Sequence, residues 1–439
     1  MKRLFLLALL VLGLVLPMRL FGEQPQVAVI SVRGPINPVT SSYLKQSLEA
    51  AGKRGDRLLL VELDTPGGLD TAMRDAVQAI FASPVPVAVY VTPSGARAAS
   101  AGAVIGLSAD VLAMAPGTNI GAAHPVGLGG EKPDKVMESK IVNDAEAYVD
   151  GIAKKRGRNV ELARRMVRDS ISLTSEAALQ QRVIDLVAAD RQELLAKLEG
   201  RKVLRGGNEE VLHLSGARVT SYEMGTRDKI LDAISNPDVA YMLMLLGMLG
   251  LFFELSNPGV ILPGVIGGIS LLLSFFALQT LPVNYAGIAL ILLGIVLFIA
   301  EIKVVSYGML AVGGIVSMVL GSLMLFPSPE PYLRLSWSVI IATVLLTAGF
   351  FIVVVAKVVQ AHREKPITGV EGMLGEEGVA DSDIDPEGRV LVRGEYWNAV
   401  SGERIRKGEK VRVVEVKGLH LKVETINPKP LTRRTSEEI

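Results

Sequence analysis

Ser100 stands in the run Arg97-Ala98-Ala99-Ser100-Ala101-Gly102, a short way downstream of Asp64-Thr65-Pro66-Gly67-Gly68. A serine among alanines and glycine lets another backbone approach closely, and a Pro-Gly-Gly corner can aim amides at an oxyanion. Together they suit attack on a carbonyl, in which a hydroxyl adds and amides hold the charge that develops. The same residue types equally serve close helix–strand packing and an ordinary turn.

The elements that must position these residues read as α/β. From Gln24 to about Arg227, the runs Val27–Val32, Leu58–Leu63 and Val85–Val91 are short and rich in branched apolar residues, as expected of strands buried on both faces. Helical patterns over Thr40–Ala51 and Leu69–Phe81 separate them. Leu69, Met73, Val77 and Ile80 share one face of the second, and Asp70 sits in its first turn where the helix dipole favours it. Alternating strands and helices imply parallel β-α-β units. Ser100 then falls just past a strand, where a helix begins with Ala101, Gly102 and Ala103. The free amides of a helix N-terminus put that of Ala101 beside the attacked oxygen. Gly68 follows a parallel strand, at the carboxyl ends where sites in such sheets gather, and supplies the second oxyanion donor. A long helix over Lys135–Lys155 carries Ile141, Ala145, Tyr148 and Ile152 at helical spacing. Glu161–Val167, Ser175–Leu179 and the strand-like Val183–Val187 complete a domain over residues 23–227.

The rest of the chain is membrane-like. The sequence is 49% hydrophobic and 21% charged, and the apolar excess lies late. Residues 238–357 divide into about five spans, near 238–255, 259–279, 284–301, 306–326 and 336–357. Leu262-Pro263-Gly264 reads as a helix break or re-entrant turn. At the start, Lys2 and Arg3 precede an apolar run from Leu4 to Leu16, the pattern of a signal peptide over 1–22. Arg19, Leu20 and Phe21 leave no tidy cleavage site. An exported α/β domain and five crossings place Lys303, Lys357, Arg363 and Lys365 on the cytoplasmic side.

The tail over 367–428 reads as a small barrel of short strands: Gly369–Val379, Gly388–Val392, Tyr396–Val400, Lys410–Val416 and Leu419–Val423. Arg404, Arg406, Lys407 and Lys410 form either a binding patch or a solvated strand surface. Leu431–Ile439 reads as a frayed terminus. The net charge of +1 makes no case for nucleic acid. The absence of cysteine excludes disulfides and a thiol nucleophile, and four scattered histidines show no metal-ligand spacing. No cofactor is expected.

Three blocks in order, Asp64-Thr65-Pro66-Gly67-Gly68, Ala98-Ala99-Ser100-Ala101-Gly102 and Met114-Ala115-Pro116-Gly117-Thr118-Asn119-Ile120-Gly121-Ala122, resemble the NfeD family. Ser139-Lys140-Ile141-Val142-Asn143-Asp144 and Ser172-Leu173-Thr174-Ser175-Glu176-Ala177 continue the likeness. The resemblance covers the whole chain. It implies a membrane-bound serine peptidase: a Clp/crotonase-like α/β domain, an α-helical transmembrane bundle and an OB-like all-β barrel.

The resemblance also implies a Ser-Lys dyad, carried here onto Ser100 and Lys140. Such a lysine must be neutral to act as base, which takes burial; Val136, Met137 and Ile141 are the apolar neighbours at hand. His124 is the rival base, close to where Clp-type peptidases carry a histidine, and needs little tuning near neutral pH. The segment Gly127–Pro133 reads as a surface loop or as a lid that brings Lys140 into place.

The expectation is an ATP-independent endopeptidase at the outer face of a prokaryotic membrane. The resemblance implies hydrophobic peptide or protein segments as substrates, stomatin-like membrane proteins as partners, contact with membrane lipid, and a homo-oligomer. The alternatives are a non-catalytic membrane scaffold whose barrel recruits partners, and a thioester-directed crotonase-like enzyme.

Overall fold

The computed structural model describes residues 24–127, 134–256, 259–304, 306–363 and 370–426. The signal-peptide reading of residues 1–22, most of the 127–133 loop and the 431–439 terminus lie outside these.

The α/β domain is built on a six-stranded, wholly parallel sheet in the order β11-β1-β2-β3-β5-β8. Its central strands are β1 (Gln26–Arg33), β2 (Leu58–Asp64), β3 (Val87–Val91) and β5 (Val111–Met114); β8 (Leu186–Val187) and β11 (Arg218–Ser221) form the edges. Side chains alternate strictly between two buried layers. Ala28, Ile30, Leu59, Val61, Val87 and Val89 face α1 (Pro38–Arg54), α2 (Asp70–Phe81) and α3 (Ala101–Ser108). Val27, Val29, Leu58, Leu60, Ala88 and Tyr90 face the opposite layer with Leu194 and Leu198. Burial on both faces explains why these strands read as continuous apolar runs. A second, small sheet joins β4 (Arg97–Ala99), β6 (Asn119–Gly121) and β7 (Ser172–Thr174). Its three-residue strands are too short to show a period in the sequence.

Several boundaries differ from the expectations for physical reasons. The helix expected from Thr40 begins at Pro38, because Asn37 caps it: its side chain accepts the N–H groups of Val39 and Thr40. The strand expected from Val85 begins after Pro86, which has no N–H to give to a ladder. The strand expected over Val183–Val187 contracts to Leu186–Val187, since the Val183 N–H closes the turn after a helix by bonding Ala178 O at 2.8 Å. Further helices follow in the chain: α4 (Lys135–Arg156), α5 (Val160–Arg168), α6 (Ser175–Gln180), α7 (Arg191–Leu198) and α8 (Thr226–Ile234).

Five apolar helices come next: α9 (Pro237–Ser256), α10 (Ile261–Leu278), α11 (Tyr285–Lys303), α12 (Met309–Leu325) and α13 (Trp337–Arg363). Among the described residues, α9, α10, α11 and the stretch Pro331–Lys357 are long and apolar enough to cross a membrane; α12, at 17 residues, is shorter. Pro263 does not break α10. It lies in the first turn, where no N–H partner is lost. Helices α9 and α10 touch backbone to backbone: a Cβ on Gly267 would stand 2.8 Å from Leu251 N, so only glycine allows the approach. The α/β domain and the apolar helices as far as Ala348 form one compact unit, and the barrel belongs to a second.

The barrel closes in the order β12-β13-β14-β16-β15, from β12 (Glu377–Ala380), β13 (Glu387–Val392), β14 (Glu395–Val400), β15 (Lys410–Lys417) and β16 (His420–Thr425). Val390, Val392, Ala399, Val411, Val413, Leu421 and Val423 fill it. The strand expected over Gly369–Val379 is not continuous. Val370–Met373 is a short helix, and Gly375, at φ +85°, turns the chain before β12. Arg404, Arg406, Lys407 and Lys410 are all exposed.

Candidate active site

The site starts where β2 runs out. Thr65, fully buried, continues the line of β2 past Asp64. Its N–H bonds Arg97 O at 2.8 Å and its carbonyl accepts the Ala99 N–H at 3.1 Å. The strand that leads into Ser100 is thereby stitched to the strand that leads into the glycine corner. The Thr65 hydroxyl accepts the Gly67 N–H at 3.1 Å and donates to Gly67 O at 3.0 Å, which fixes the corner itself. Gly68 lies against Ile36, where an added Cβ would fall 2.1 Å from Ile36 O, so no other residue fits without moving the backbone. Ile36 N–H donates to Gly67 O and Leu69 N–H to Ile36 O, which turns the Gly68 amide away from Ile36.

Ser100 sits between β4 and α3 at φ +51° and ψ −118°. A non-glycine residue held there carries about 1–3 kcal/mol of strain and persists only when its surroundings over-determine it. They do. Ser100 N–H bonds Gly121 O at 2.9 Å, and its carbonyl starts α3 by accepting the Ala103 N–H at 3.0 Å. A Cβ built on Gly67 would lie 2.8 Å from Ser100 Cβ and 3.3 Å from Ser100 Oγ, so the glycine corner and the serine are in contact range. Among the described residues, neither the Gly68 nor the Ala101 amide donates a hydrogen bond.

A cavity of about 110 Å³ opens beside these groups, with Gly68, Ser100 and Ala101 at its wall. Met73 of α2, Val104 of α3, Val167 of α5, and Ala145, Tyr148 and Val149 of α4 give it an apolar lining. Burial pushes the Tyr148 hydroxyl above its ordinary range, and the Arg74 guanidinium, 4.4 Å from the ring centroid, opposes that shift. Arg74 also bonds Asp144 at 2.6 Å and Asp70 at 2.9 Å, tying the middle of α4 to α2.

Lys140 is placed differently. It is exposed near the start of α4 and does not line the Ser100 cavity. The apolar neighbours expected to bury it are themselves in solvent: Val136 is 66% exposed, Met137 50% and Ile141 38%. His124 is half-buried and lines a neighbouring cleft of about 650 Å³ that shares Pro125 and Val126 with the Ser100 cavity. Its Nδ1 lies 2.9 Å from Val167 O, a backbone carbonyl, rather than against a carboxylate. The structure therefore brings together Ser100, Gly68 and Ala101, and brings neither basic candidate to the serine. Thr65 escaped the sequence reading although it stands inside the quoted glycine motif; its position between strand and corner was the available signal.

Three family models match successive parts of the chain: the NfeD1b N-terminal domain over residues 26–200, the NfeD integral membrane domain over 238–357, and the NfeD-like C-terminal, partner-binding domain over 370–424. Membrane-bound protease PH1510 of Pyrococcus horikoshii is 37% identical over 407 residues, covering 90% of this chain and 92% of that protein. Membrane protein NfeD1b of Bacillus subtilis is 28% identical over 424 residues, 92% of this chain and 94% of that one. Among solved structures, a mutant of the 1510-N membrane-bound stomatin-specific protease in complex with a substrate peptide is similar at 35% identity, over 48% of this chain and 99% of that one, with a TM-score of 0.45. The chain belongs to the NfeD family of membrane proteins, with a parallel-sheet α/β domain, an apolar helical bundle and a closed C-terminal barrel.

Proposed function

We propose that this protein is a membrane-bound serine protease in which Ser100 is the nucleophile. The observation that carries the reading is the strained Ser100 elbow, in contact range of the glycine corner and flanked by two amides without partners. Ser100 Oγ attacks the scissile carbonyl, and the oxyanion is held by Gly68 and Ala101. Each such donor typically contributes about 3–4 kcal/mol. The serine proton passes to the base and then to the leaving amine. Water hydrolyses the acyl-enzyme by the same route in reverse.

Lys140 is the proposed base. Lys140 is exposed in this conformation and must be taken out of solvent to work, because burial disfavours the charged form of an amine. The same turns of α4 carry exposed Val136, Met137 and Ile141, and a second copy of the chain packed on that face would bury lysine and apolar residues together. The homo-oligomer and the dyad are in this way one proposal. Hydrophobic peptide segments suit the apolar cleft. The stomatin-specific relative supports a stomatin-like substrate or partner, with the barrel as its docking domain. The charge pattern supports an extracytoplasmic peptidase domain and a cytoplasmic barrel.

Labelling with a fluorophosphonate probe tests the core of this. The wild type is expected to label and Ser100→Ala to be silent, and equal labelling of both would overturn the nucleophile. The exposure of Lys140 favours one rival, a scaffold with no turnover. Labelling of the wild type together with cleavage of a hydrophobic peptide would end that reading.

A further inference from the structure

The cleft beside Ser100 is closed on one side by chain that belongs to the apolar helices. Between α12 and α13, Pro331–Leu333 forms a single 3-10 turn, with Leu333 6% exposed and Tyr332 half-buried. Tyr332 and Leu333 line both cavities that flank Gly68: the Ser100 cavity, and a second of about 160 Å³ against Ile36 and Leu69. A Cβ on Gly67 would stand 3.1 Å from Tyr332 Oη and 3.3 Å from Ser100 Oγ, so the phenol reaches the same point as the serine hydroxyl. Among the described residues that phenol makes no hydrogen bond. Apolar burial of the ring, not a polar anchor, holds it in the cleft.

The turn is braced from behind. The Arg334 guanidinium donates to Ser328 O and Pro329 O, and the Asp238 carboxylate accepts both the Ser336 N–H and its hydroxyl at 2.9 Å. Such bracing keeps the turn short and holds the aromatic ring against a largely apolar wall that includes Met73, Val104, Tyr148, Val149 and Val167.

We propose that the Glu330–Leu333 turn is a tethered occupant of the substrate cleft, the Tyr332 ring standing where a substrate side chain next to the scissile bond must go. This rests on Ser100 being the nucleophile. A tethered group acts at a high effective concentration, and substrate affinity falls by the fraction of molecules whose cleft is open. Substrate entry then requires the turn to lift away from Gly67.

The test uses the full chain in detergent micelles, with the rate of fluorophosphonate labelling and of cleavage of an unstructured hydrophobic peptide as readouts. Tyr332→Ala is expected to raise both rates about 10-fold or more, as expected if the open form is a minor population. Tyr332→Leu should fall between, and Tyr332→Phe should stay near the wild type because the ring still fills the cleft. A free peptide with the sequence of residues 328–335 should inhibit the alanine variant. If Tyr332→Leu and Tyr332→Ala label no faster than the wild type, the proposal fails. It fails equally if Tyr332→Phe and Tyr332→Ala lose rate together, since that assigns the hydroxyl a chemical role. Labelling that survives Ser100→Ala would instead remove the nucleophile reading, whatever the tyrosine variants do.

Discussion

The Ser100 corner is fixed by main-chain hydrogen bonds from three directions, through Thr65, Gly121 and Ile36, whereas the first turns of α4, which carry Lys140, stand in solvent. The proposed nucleophile and its proposed oxyanion amides cost nothing further to organise, because the strain at Ser100 is already borne by the fold. The proposed base lies on a helix whose C-terminal half is buried through Val149, Ile152 and Ala153 and whose N-terminal half exposes its apolar residues. An enzyme built this way keeps its attacking group ready and makes activity depend on bringing the base in. Control of the base also suits a protease whose cleft is already occupied by Tyr332.

The largest expected effect breaks the contrast from its rigid side. Ser100→Ala should lower peptide cleavage at least about 10⁴-fold, as removal of a covalent nucleophile does, and leave the melting temperature nearly unchanged, since alanine keeps the Cβ and bears the same strain at φ +51°. Lys140→Ala should cost about 10²–10⁴-fold, the range for a positioned general base, while His124→Ala leaves most activity. Loss of activity in the histidine variant alone would transfer the role. Gly68→Ala should cost about 10²–10³-fold, because clearing Ile36 O must displace the amide from the oxyanion. A Gly68→Ala variant with normal turnover would remove that donor from the mechanism.

How much of this could be read from residues alone follows the same division. The Ser100 block and the glycine corner are local: each lies at the end of a strand with a clear apolar run, so their place at the carboxyl edge of a parallel sheet followed from pattern. The sheet β4-β6-β7, which sets the backbone of Ser100, did not, because three-residue strands leave no periodicity. Lys140 was legible as a helix lysine that its residue type alone leaves solvated; only the resemblance asked for its burial, and this conformation leaves it exposed. Tyr332 was hidden altogether. It is one aromatic in a proline-marked joint between two apolar helices, and only tertiary packing brings that joint to a serine so distant in sequence.

The difference in support also predicts different stabilities. Thr65→Val keeps the shape of a fully buried side chain and removes its hydroxyl, leaving the Gly67 N–H without its acceptor. A buried group left unsatisfied costs about 1–3 kcal/mol, so this variant should melt lower and, with the corner loosened, turn over more slowly. Met137→Ser, on the exposed half of α4, should change the stability of the protomer by no more than about 0.5 kcal/mol. If that face packs on a second copy, the same variant should weaken self-association in a sedimentation experiment and lose activity that returns at high protein concentration. Unchanged association with unchanged activity would leave Lys140 to be desolvated by the substrate itself, and the two halves of the site would then meet only when a peptide lies between them.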